Sequence, residues 1–485
     1  MWNLDNSYAR LPDSLHQAQP PVPVPAPRLL LLNQPLAEAL GLSVAELDSA
    51  EGVAVLAGNA LPAGSQPLAQ AYAGHQFGHF TLLGDGRAVL LGEQLAQDGQ
   101  RYDIQLKGSG MTPFSRRGDG RSALGPMLRE YIISEALHGL GIPCTRSLAV
   151  VASGDTVLRP LPQPGAVLTR VAASHVRVGT FEYAIRRGGA ELVRALADWC
   201  IERHYPHCRA ADNPWLALLQ AVVAGQAALI ARWMQVGFIH GVMNTDNMSI
   251  AGESIDFGPC AFMDAFNRRQ VFSSIDEQGR YAWVNQPGIG QWNLTRLAEA
   301  LLPLLDPSQE VAIELAQQAL ADYARLYQQH WLDGMAAKLG LFEAQPEDTA
   351  LIEDWLDLLQ AQQADFTNSF RALGGDPAAL AELPPQPLFD SAEFAAWQQR
   401  WQQRRSQQAQ SLAESSALMN RHNPQLIARN HQVERALQAA ERDDLQPLLG
   451  LLEQLRQPYA SRPGCAPWCQ LPLPHEQVQQ TFCGT

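Results

Sequence analysis

Lysine is nearly absent from this sequence of 485 residues. Only two of its 35 basic residues are lysines, Lys107 and Lys338, and arginine supplies the rest of the positive charge. Coding bias towards arginine explains such a composition. So does the retention of a compact ammonium group at Lys107 for a task that a planar guanidinium does not perform. The composition alone leaves both explanations open.

Positive charge is also in deficit overall, and long apolar runs are lacking. The formal net charge is −14, which argues against nucleic acid or an anionic membrane surface as the main partner, because both require clustered cations. No apolar run approaches the ~20 residues of a membrane span. The first residues, MWNLDNSYARLP, lack a basic segment that leads into an apolar one. We therefore expect a cytoplasmic protein, and the arginine-rich coding suggests a bacterial one.

Disulfide patterns and phosphate-loop motifs are missing as well. The seven cysteines are an odd number and are scattered, so they predict no disulfide framework. The motif G-x-x-x-x-G-K-[ST] does not occur, which excludes a P-loop nucleotide site. His75 and His79 have the spacing of two metal ligands, but their glycine-rich segment offers no third ligand. With 46% apolar residues, the chain can bury a large core in two or three lobes or domains.

The most informative stretch that is present runs from His240 to Gly258, HGVMNTDNMSIAGESIDFG. Its pattern predicts a hairpin, in which residues 248–250 and 254–256 form two short strands and Asn247 and Asp256 close the open end. Opposed residues of paired strands lie about 5 Å apart. An amide oxygen and a carboxylate at that separation suit Mg²⁺ or Mn²⁺ beside a phosphate.

The same stretch matches part of the protein kinase catalytic frame. Asp256 begins a D-F-G tripeptide, and His240 with Asn247 seven residues later fits H-x-D-x-x-x-x-N. A lone D-F-G is a weak signal, and the added spacing strengthens it. One member is missing, because the catalytic aspartate of the frame falls on Val242. The frame also requires an upstream lysine with a carboxylate partner.

A strand lysine with such a partner is predicted upstream. The pattern after Ala71 indicates an antiparallel region with strands near 88–93 and 102–107, so that Lys107 ends the second strand. Pro126 then opens a helix to about Leu140. Glu130, one turn into this helix, is the first choice as partner of Lys107, and Glu135 is the second. Solvated helix charges would be the default explanation without the downstream D-F-G segment.

Other candidate residues carry weaker signals. Gly84 and Gly86 allow backbone N–H groups to approach a phosphate, although such a pair usually marks a turn. Arg170 and Arg177 could grip phosphate oxygens in bidentate fashion or be ordinary surface arginines. The polar loop 115–121 suggests no chemistry by itself. After Gly258 the sequence predicts an irregular segment to about residue 287, the position of a kinase activation segment, and then helices from residue 292 to about 457.

Several blocks of the sequence, taken in order, resemble the selenoprotein O family. They are YAGHQFG, LGDGR, LKGSGMTPFSRRGDGR, SEALHGLGIPCTR, TRVAASHVRVG, HGVMNTDNMSIAGESIDFGP and NQPGIGQWNL, and the similarity runs from about Asn6 to the C-terminus. The resemblance implies an α+β protein, namely a protein kinase-like two-lobe fold with an extended, mostly helical C-terminal region. It also implies protein adenylyltransferase (AMPylation) activity, in which ATP bound in a flipped orientation donates AMP to protein hydroxyls.

The resemblance and the sequence pattern together suggest five regions. These are an N-terminal extension packing on the kinase-like core (1–70), a β-rich N-lobe with one long helix (71–165), a C-lobe with the catalytic hairpin and activation segment (166–300), a helical C-terminal region (301–457) and a Pro- and Cys-rich tail (458–485). Selenocysteine stands near the C-terminus of animal members, and Cys483 occupies that place here. The segment 270–276 lacks the cysteine that some members pair with it, and Cys260 is the nearest.

The resemblance also assigns roles to single residues. Asp246 would be the base, and Asn247 and Asp256 would hold Mg²⁺ or Mn²⁺. The nucleotide ATP would contact Gly84, Gly86, Arg87, Lys107, Asp119, Gly120, Glu130, Arg170, Arg177 and Asp256, with the two arginines on the γ-phosphate. The expected partners are ATP and protein substrates with Ser, Thr or Tyr, no nucleic acid and no membrane, with a monomer as the expected assembly. UMP transfer from UTP stays open, as do two alternatives, an ordinary phosphotransferase and a catalytically inactive nucleotide-binding scaffold.

Overall fold

The computed structural model describes residues 2–478 and 481 and contains one large antiparallel sheet. The strands are β1 Leu4–Asp5, β2 His16–Ala18, β3 Arg28–Leu32, β4 Leu68–Gln70, β5 Ala73–Gln76, β6 His79–Leu82, β7 Ala88–Leu95, β8 Arg101–Lys107, β9 Ser122–Ala123, β10 Arg146–Leu158, β11 Pro162–Ala172, β12 Phe238–Ile239 and β13 Ala261–Phe262. The large sheet has the order β2-β4-β7-β8-β11-β10-β3, with β1 added on β7 and β9 on β11. The strands predicted near 88–93 and 102–107 are therefore present, as β7 and β8.

Both faces of this sheet are covered, which explains why β7 begins with four consecutive apolar residues. Side chains alternate between the two faces of a strand. Leu90 packs in a core with helix residues such as Leu128, whereas Val89 packs in a second core with N-terminal residues such as Leu40. Lys107 lies opposite Ala88 of β7 and Leu168 of β11, so the sheet fixes its position from both sides.

Helices make up most of the remaining chain. They are α1 Gln34–Ala39, α2 Val44–Leu47, α3 Ala50–Leu56, α4 Leu124–Gly139, α5 Val178–His204, α6 Pro214–Gln235, α7 Gln286–Leu305, α8 Gln309–Lys338, α9 Asp348–Gln362, α10 Phe366–Leu373, α11 Pro377–Leu380, α12 Ala392–Ser406, α13 Leu412–His422, α14 Asn430–Ala440, α15 Gln446–Leu455 and α16 Ala466–Cys469. The helix predicted from Pro126 begins two residues earlier, as α4. The predicted helical region is confirmed from α7 to α15, and its predicted irregular predecessor contains only β13 and one turn of 3₁₀ helix in the described chain.

The expectation that no apolar run approaches the length of a membrane span is wrong for one helix, α6. Helix α6 has 22 residues and a mean hydropathy of 1.6 over its most apolar stretch, so its length and composition would allow it to cross a membrane. Half of that stretch is buried inside the protein. Its apolar residues, among them Val222 and Ile230, belong to the same core as Leu297 of α7 and Tyr323 of α8. The core helix of a globular fold has this same composition.

The predicted hairpin between Asn247 and Asp256 is wrong. Residues 248–250 and 254–256 do not pair with each other; each segment pairs with a distant part of the chain. Ser249 forms an antiparallel bridge with Arg177, and Ser254 forms a parallel bridge with Cys144. These contacts tie the segment that carries Asn247 and Asp256 to the start of α5 and to the connection between α4 and β10.

Candidate active site

All of the sequence-predicted site residues line one cavity of about 1200 Å³. The cavity lies against β7, β8, α4 and the segment that follows β12, and α14 closes part of its rim. The predicted residues on its wall are Gly84, Gly86, Arg87, Lys107, Asp119, Gly120, Glu130, Arg170, Arg177, Asp246, Asn247 and Asp256. Residues that are far apart in the sequence thus face a common space.

Lys107 is held by two carboxylates at the inner end of this cavity. Its Nζ atom donates to Glu130 Oε2 at 2.5 Å and to Asp256 Oδ1 at 2.9 Å. Glu130, the first of the two predicted partners, is therefore in contact with Lys107. Glu135 instead binds Arg146, with two hydrogen bonds of 2.7 Å. The difference follows from helix geometry, because residues five apart on α4 point in different directions.

Two arginines join Lys107 around Asp256. Arg170 Nη1 lies 2.5 Å from Asp256 Oδ1, and Arg177 Nη1 lies 3.4 Å from Asp256 Oδ2. Burial would raise the pKa of Asp256, but Lys107 and the two arginines together hold this pKa well below its ordinary value. Asp256 is consequently ionised. Three cations that converge on one carboxylate at a cavity wall form an arrangement that phosphate oxygens also fit.

The backbone at Asp256 is held in an unusual conformation. Its φ angle is 64°, in the left-handed region that residues other than glycine rarely adopt. Such strain persists where surrounding contacts fix it, and it concentrates at functional sites. Here the bridge from Ser254 to Cys144 and the three cations on the carboxylate provide those contacts. The residue with the strained backbone, Asp256, is therefore also the centre of the charge cluster.

Asp85 and Gln105 support the cavity wall, and neither was predicted from the sequence. Asp85 Oδ2 accepts from the side-chain amide of Gln105 at 3.2 Å, and Gln105 Oε1 accepts from Arg170 Nη2 at 2.6 Å. Asp85 lines the cavity, and burial raises its pKa to about 6. The sequence could have indicated Gln105, because it lies two residues before Lys107 and alternation along a strand places both side chains on the same face of β8. This chain of hydrogen bonds fixes the orientation of Arg170.

Asp246 lies on a short 3₁₀ helix, Thr245–Asn247, at the edge of the cavity. Burial raises the pKa of Asp246 to about 7, although Arg177 and the side chain of Gln76 lower it. Its Oδ1 atom has no hydrogen-bond partner among the described residues. A buried carboxylate with a free oxygen and a raised pKa can accept a proton from a hydroxyl group.

Strand β5 packs directly against this carboxylate. A Cβ atom at Gly74 would lie 2.0 Å from Asp246 Oδ1, so only glycine fits at that position. The adjacent backbone N–H of His75 donates to Thr245 Oγ1 at 2.7 Å. Val242, at the position of the missing kinase aspartate, is buried and carries no group that could accept a proton. Asp246 is thus the carboxylate that this loop presents to the cavity.

The residues that would hold a divalent ion have suitable donor chemistry. Asn247 donates its amide nitrogen to the Val242 carbonyl at 2.9 Å, which turns its amide oxygen away from that contact. Asp256 supplies an ionised carboxylate on the same cavity wall. No cluster of three or more His, Cys, Asp or Glu suited to a metal occurs in residues 2–478 and 481. An ion at this position would therefore take its other ligands from phosphate oxygens and water, as Mg²⁺ commonly does.

The outer part of the cavity is formed by the loop between β8 and β9. Asp119 binds Arg159 with an Oδ2–Nη1 distance of 2.9 Å, and this hydrogen bond lowers the pKa of Asp119. Gly120 has a φ angle of 69°, and a Cβ atom there would lie 2.1 Å from the carbonyl carbon of Gly110. Glycine is therefore required for the loop to close against residues 108–111.

The C-terminal helices reach the site through Arg129 of α4. This buried arginine donates to the carbonyl of Cys260, just after the D-F-G tripeptide, at 2.8 Å. It also donates to Asn430 Oδ1 at 2.6 Å and pairs with Glu434 at 2.9 Å, both on α14. One guanidinium thus joins α4, the D-F-G segment and α14.

The tail also returns to the site. The backbone N–H of Thr481 donates to the Phe272 carbonyl at 2.7 Å, and Thr481 lines the cavity together with Val478. Cys483, which the sequence places at the selenocysteine position, lies outside the described residues. Cys260 is buried.

Comparison with known proteins identifies the family. A family model described as protein adenylyltransferase SelO matches residues 2–456. The chain belongs to the SelO family. A relative from Geobacillus kaustophilus called protein nucleotidyltransferase YdiU is 58% identical over 485 residues, which cover 100% of this chain and 99% of the relative. Relatives with the same name from Syntrophotalea carbinolica and Bacillus cytotoxicus are 56% and 55% identical, each over 100% of this chain and 98% of the relative. The SelO resemblance seen in the sequence is thereby confirmed.

Proposed function

We propose that this SelO-family chain is an enzyme that transfers AMP from ATP to Ser, Thr or Tyr hydroxyls of other proteins. The observation that carries the proposal is the grouping of Lys107, Arg170 and Arg177 around Asp256 at the inner end of the cavity. A nucleotide that binds Lys107 and places its γ-phosphate on Arg170 and Arg177 would present its inner phosphates to the part of the cavity that holds Asp246. The same chemistry extends to UMP transfer if UTP replaces ATP.

In this proposal, the polar residues of the cavity have different roles in binding the nucleotide. Gly84, Gly86, Arg87, Asp119 and Gly120 contact the nucleotide, and Glu130 keeps Lys107 oriented towards it. Asn247 and Asp256 hold Mg²⁺ or Mn²⁺, which stabilises negative charge on the phosphoryl oxygens when bound. Fixed cations add to this stabilisation without reorganising during the reaction.

Asp246 acts as the general base in the proposed reaction. Its free Oδ1 atom accepts the proton of the protein hydroxyl while that oxygen attacks the α-phosphorus. The bond from the α-phosphorus to the bridging oxygen breaks, and pyrophosphate leaves. The valine at position 242 removes the residue that would serve as base in an ordinary kinase.

The wider architecture is proposed on the same basis. The sheet with α4 corresponds to the N-lobe of a protein kinase-like fold, and the helices from α5 onwards to a C-lobe with a helical extension, with region limits near residues 70, 165, 300 and 457. We also propose a cytoplasmic, monomeric protein whose partners are ATP and substrate proteins rather than nucleic acid or membrane. The net charge of −14 supports the exclusion of polyanionic partners.

Incubation with labelled ATP tests the proposed reaction. We expect label from the α-phosphate, and none from the γ-phosphate, to become covalently attached to protein in the presence of Mg²⁺ or Mn²⁺. Attachment of γ label alone would show an ordinary phosphotransferase and contradict the proposal. No attachment of either label, together with tight ATP binding, would favour the inactive scaffold.

The two glutamates of α4 offer a matched pair of variants. Glu130→Gln is expected to lower kcat/KM for ATP about 10–100-fold, because hydrogen bonds from charged groups contribute about 1.5–3 kcal/mol and Glu130 contacts both Lys107 and Arg170. Glu135→Gln removes a contact with Arg146 only. We expect nearly wild-type kinetics for it. Equal losses in the two variants would contradict the assignment of Glu130.

A further inference from the structure

A cluster of arginines and aromatic rings lies beside the catalytic loop, and the proposed chemistry does not use it. This arginine–aromatic surface consists of Phe80, Arg186, Arg280, Trp292 and Arg296. The guanidinium carbon of Arg186 lies 5.0 Å from the centre of the Phe80 ring. Those of Arg280 and Arg296 lie 4.9 and 5.0 Å from the centre of the Trp292 ring. Stacking on aromatic faces holds guanidinium groups in place and leaves their edges able to donate hydrogen bonds.

Few carboxylates neutralise these arginines. Among residues 2–478 and 481, only Arg296 has a carboxylate within ion-pair distance, namely Glu299 at 2.8 Å. The Nε atoms of Arg280 and Arg296 are buried and have no hydrogen-bond partner in the same part of the chain. Arg186 is exposed. A protein with a net charge of −14 therefore keeps a local excess of positive charge here.

The electrostatic effect of the arginines is visible at a neighbouring histidine. Burial lowers the pKa of His75, and Arg296, Arg186 and Arg280 lower it further, whereas Glu299 raises it. His75 Nδ1 also contacts the carboxylate of Glu182. The His75 ring also packs edge-on against both aromatic members of the surface, at 5.4 Å from Phe80 and 5.3 Å from Trp292. The arginines are thus near neighbours on one surface rather than scattered charges.

This surface is linked to the cavity wall through the buried side chain of Tyr281. Tyr281, which follows Arg280, donates its hydroxyl to Asn244 Oδ1 at 2.6 Å. The backbone N–H of Phe77 donates to the same oxygen at 3.0 Å. Asn244 and Phe77 line the cavity, and Asn244 lies two residues before Asp246. Arg280 and Asp246 both act electrostatically on the Tyr281 hydroxyl, so the arginine–aromatic surface lies on the side of the catalytic loop from which neighbouring residues of a bound polypeptide would extend at about 3.3 Å per residue.

We propose that the arginine–aromatic surface binds an acidic segment of the substrate protein next to the hydroxyl that is modified. The inference rests on the proposed transfer of AMP to protein hydroxyls and names the substrate class. Asp and Glu side chains accept bidentate hydrogen bonds from guanidinium groups. A local positive patch on an acidic protein also steers acidic segments towards the site and disfavours basic ones. Nucleic acid is a weaker candidate, because the surrounding protein carries a net negative charge.

Two matched peptides test this inference. Both contain one modifiable threonine; glutamates flank it in one, and glutamines occupy the same positions in the other. We expect the wild-type protein to show a KM about tenfold lower for the acidic peptide. The Arg186→Glu/Arg280→Glu variant should lose this preference and use both peptides about equally. Equal KM values for the two peptides with the wild-type protein would overturn the proposal.

Control variants separate docking from folding. Arg456→Glu changes an exposed arginine at the end of α15 that pairs with Glu453, and it should keep the wild-type preference. Arg186→Glu alone alters an exposed side chain and provides the test if the double variant does not fold. Loss of the preference in Arg186→Glu supports the proposal. Loss of the same size in Arg456→Glu, or an unchanged preference in Arg186→Glu, overturns it.

Direct binding distinguishes a failure of this inference from a failure of the proposed function. Fluorescence anisotropy would measure binding of the labelled peptides to protein loaded with a non-hydrolysable ATP analogue. Preferential binding of the acidic peptide without any AMP transfer would sustain the docking surface and reject adenylylation. AMP transfer with equal binding of both peptides would sustain adenylylation and reject the docking surface. Tighter binding of a single-stranded RNA, abolished in the double variant, would assign the surface to nucleic acid and overturn the proposal.

Discussion

Replacement of Asp246 by asparagine is expected to lower the rate of AMP transfer about 10²–10⁴-fold, the usual effect of losing a general base. Asparagine has nearly the same shape, so it fits the space beside Gly74, where no Cβ atom is tolerated. Its amide cannot accept the hydroxyl proton. A single-turnover measurement with α-labelled ATP at saturating nucleotide and Mn²⁺ isolates this step.

Nucleotide binding provides the control for Asp246→Asn. Asp246 does not contact Lys107, Arg170 or Arg177 in any hydrogen bond of the described structure, so the variant should bind an ATP analogue nearly as well as the wild-type protein. A large loss of binding would mean that the substitution disturbs the cavity. A wild-type transfer rate in Asp246→Asn would show that another group takes the proton, and the assignment of the base would be wrong.

The sequence predicted which residues lie together better than it predicted the local backbone. Motif spacing placed Lys107, Asn247 and Asp256 in one site, and the structure brings all three to one cavity. Spacing succeeds here because each motif encodes a local conformation that presents its side chain to the cavity. The Lys107–Glu130 contact follows in the same way, from a strand end and the first turns of the next helix.

The sequence pattern did not predict the contacts between segments that are distant in the sequence. Alternating apolar residues at 248 and 250 suggested a hairpin, but Ser249 pairs with Arg177 and Ser254 with Cys144. Strand propensity indicates that a segment is extended and does not identify its partner. Strand alternation places Gln105 on the same face as Lys107, but it does not identify Asp85 and Arg170, from distant segments, as the partners of Gln105. The apolar composition of α6 likewise becomes interpretable only with its packing partners.

Replacement of Lys338, the second of the two lysines, by methionine is expected to stabilise the protein markedly at neutral pH. Lys338 ends α8 and is 2% exposed. Its Nζ atom lies 4.2 Å from the centre of the Phe370 ring, and no carboxylate pairs with it within residues 2–478 and 481. Burial lowers its pKa from 10.5 to about 7. Methionine has a similar length and no charge to bury.

The depressed pKa of Lys338 determines how this effect depends on pH. Between pH 7 and about 10 the unfolded chain binds a proton at this lysine and the folded chain does not, so stability rises with pH in that window. The slope attributable to one such group is about 1.4 kcal/mol per pH unit. Below pH 7 both states are protonated, and the folded state carries the full cost of a buried charge. At neutral pH that cost is on the order of 3–5 kcal/mol.

Thermal unfolding of wild-type protein and Lys338→Met at pH 7, 8 and 9 measures the effect as a difference between two curves. We expect the variant to unfold at a higher temperature at pH 7, and its advantage to shrink as pH rises, because the cost of removing the proton from the wild-type lysine on folding falls as the pH approaches its unfolded pKa. Lys338→Arg is the matched control. A guanidinium keeps its proton throughout this range, so this variant should be less stable than the wild type at every pH. Parallel pH curves for wild type and Lys338→Met would contradict the prediction, since they would require Lys338 to keep the same protonation in the folded and unfolded chains.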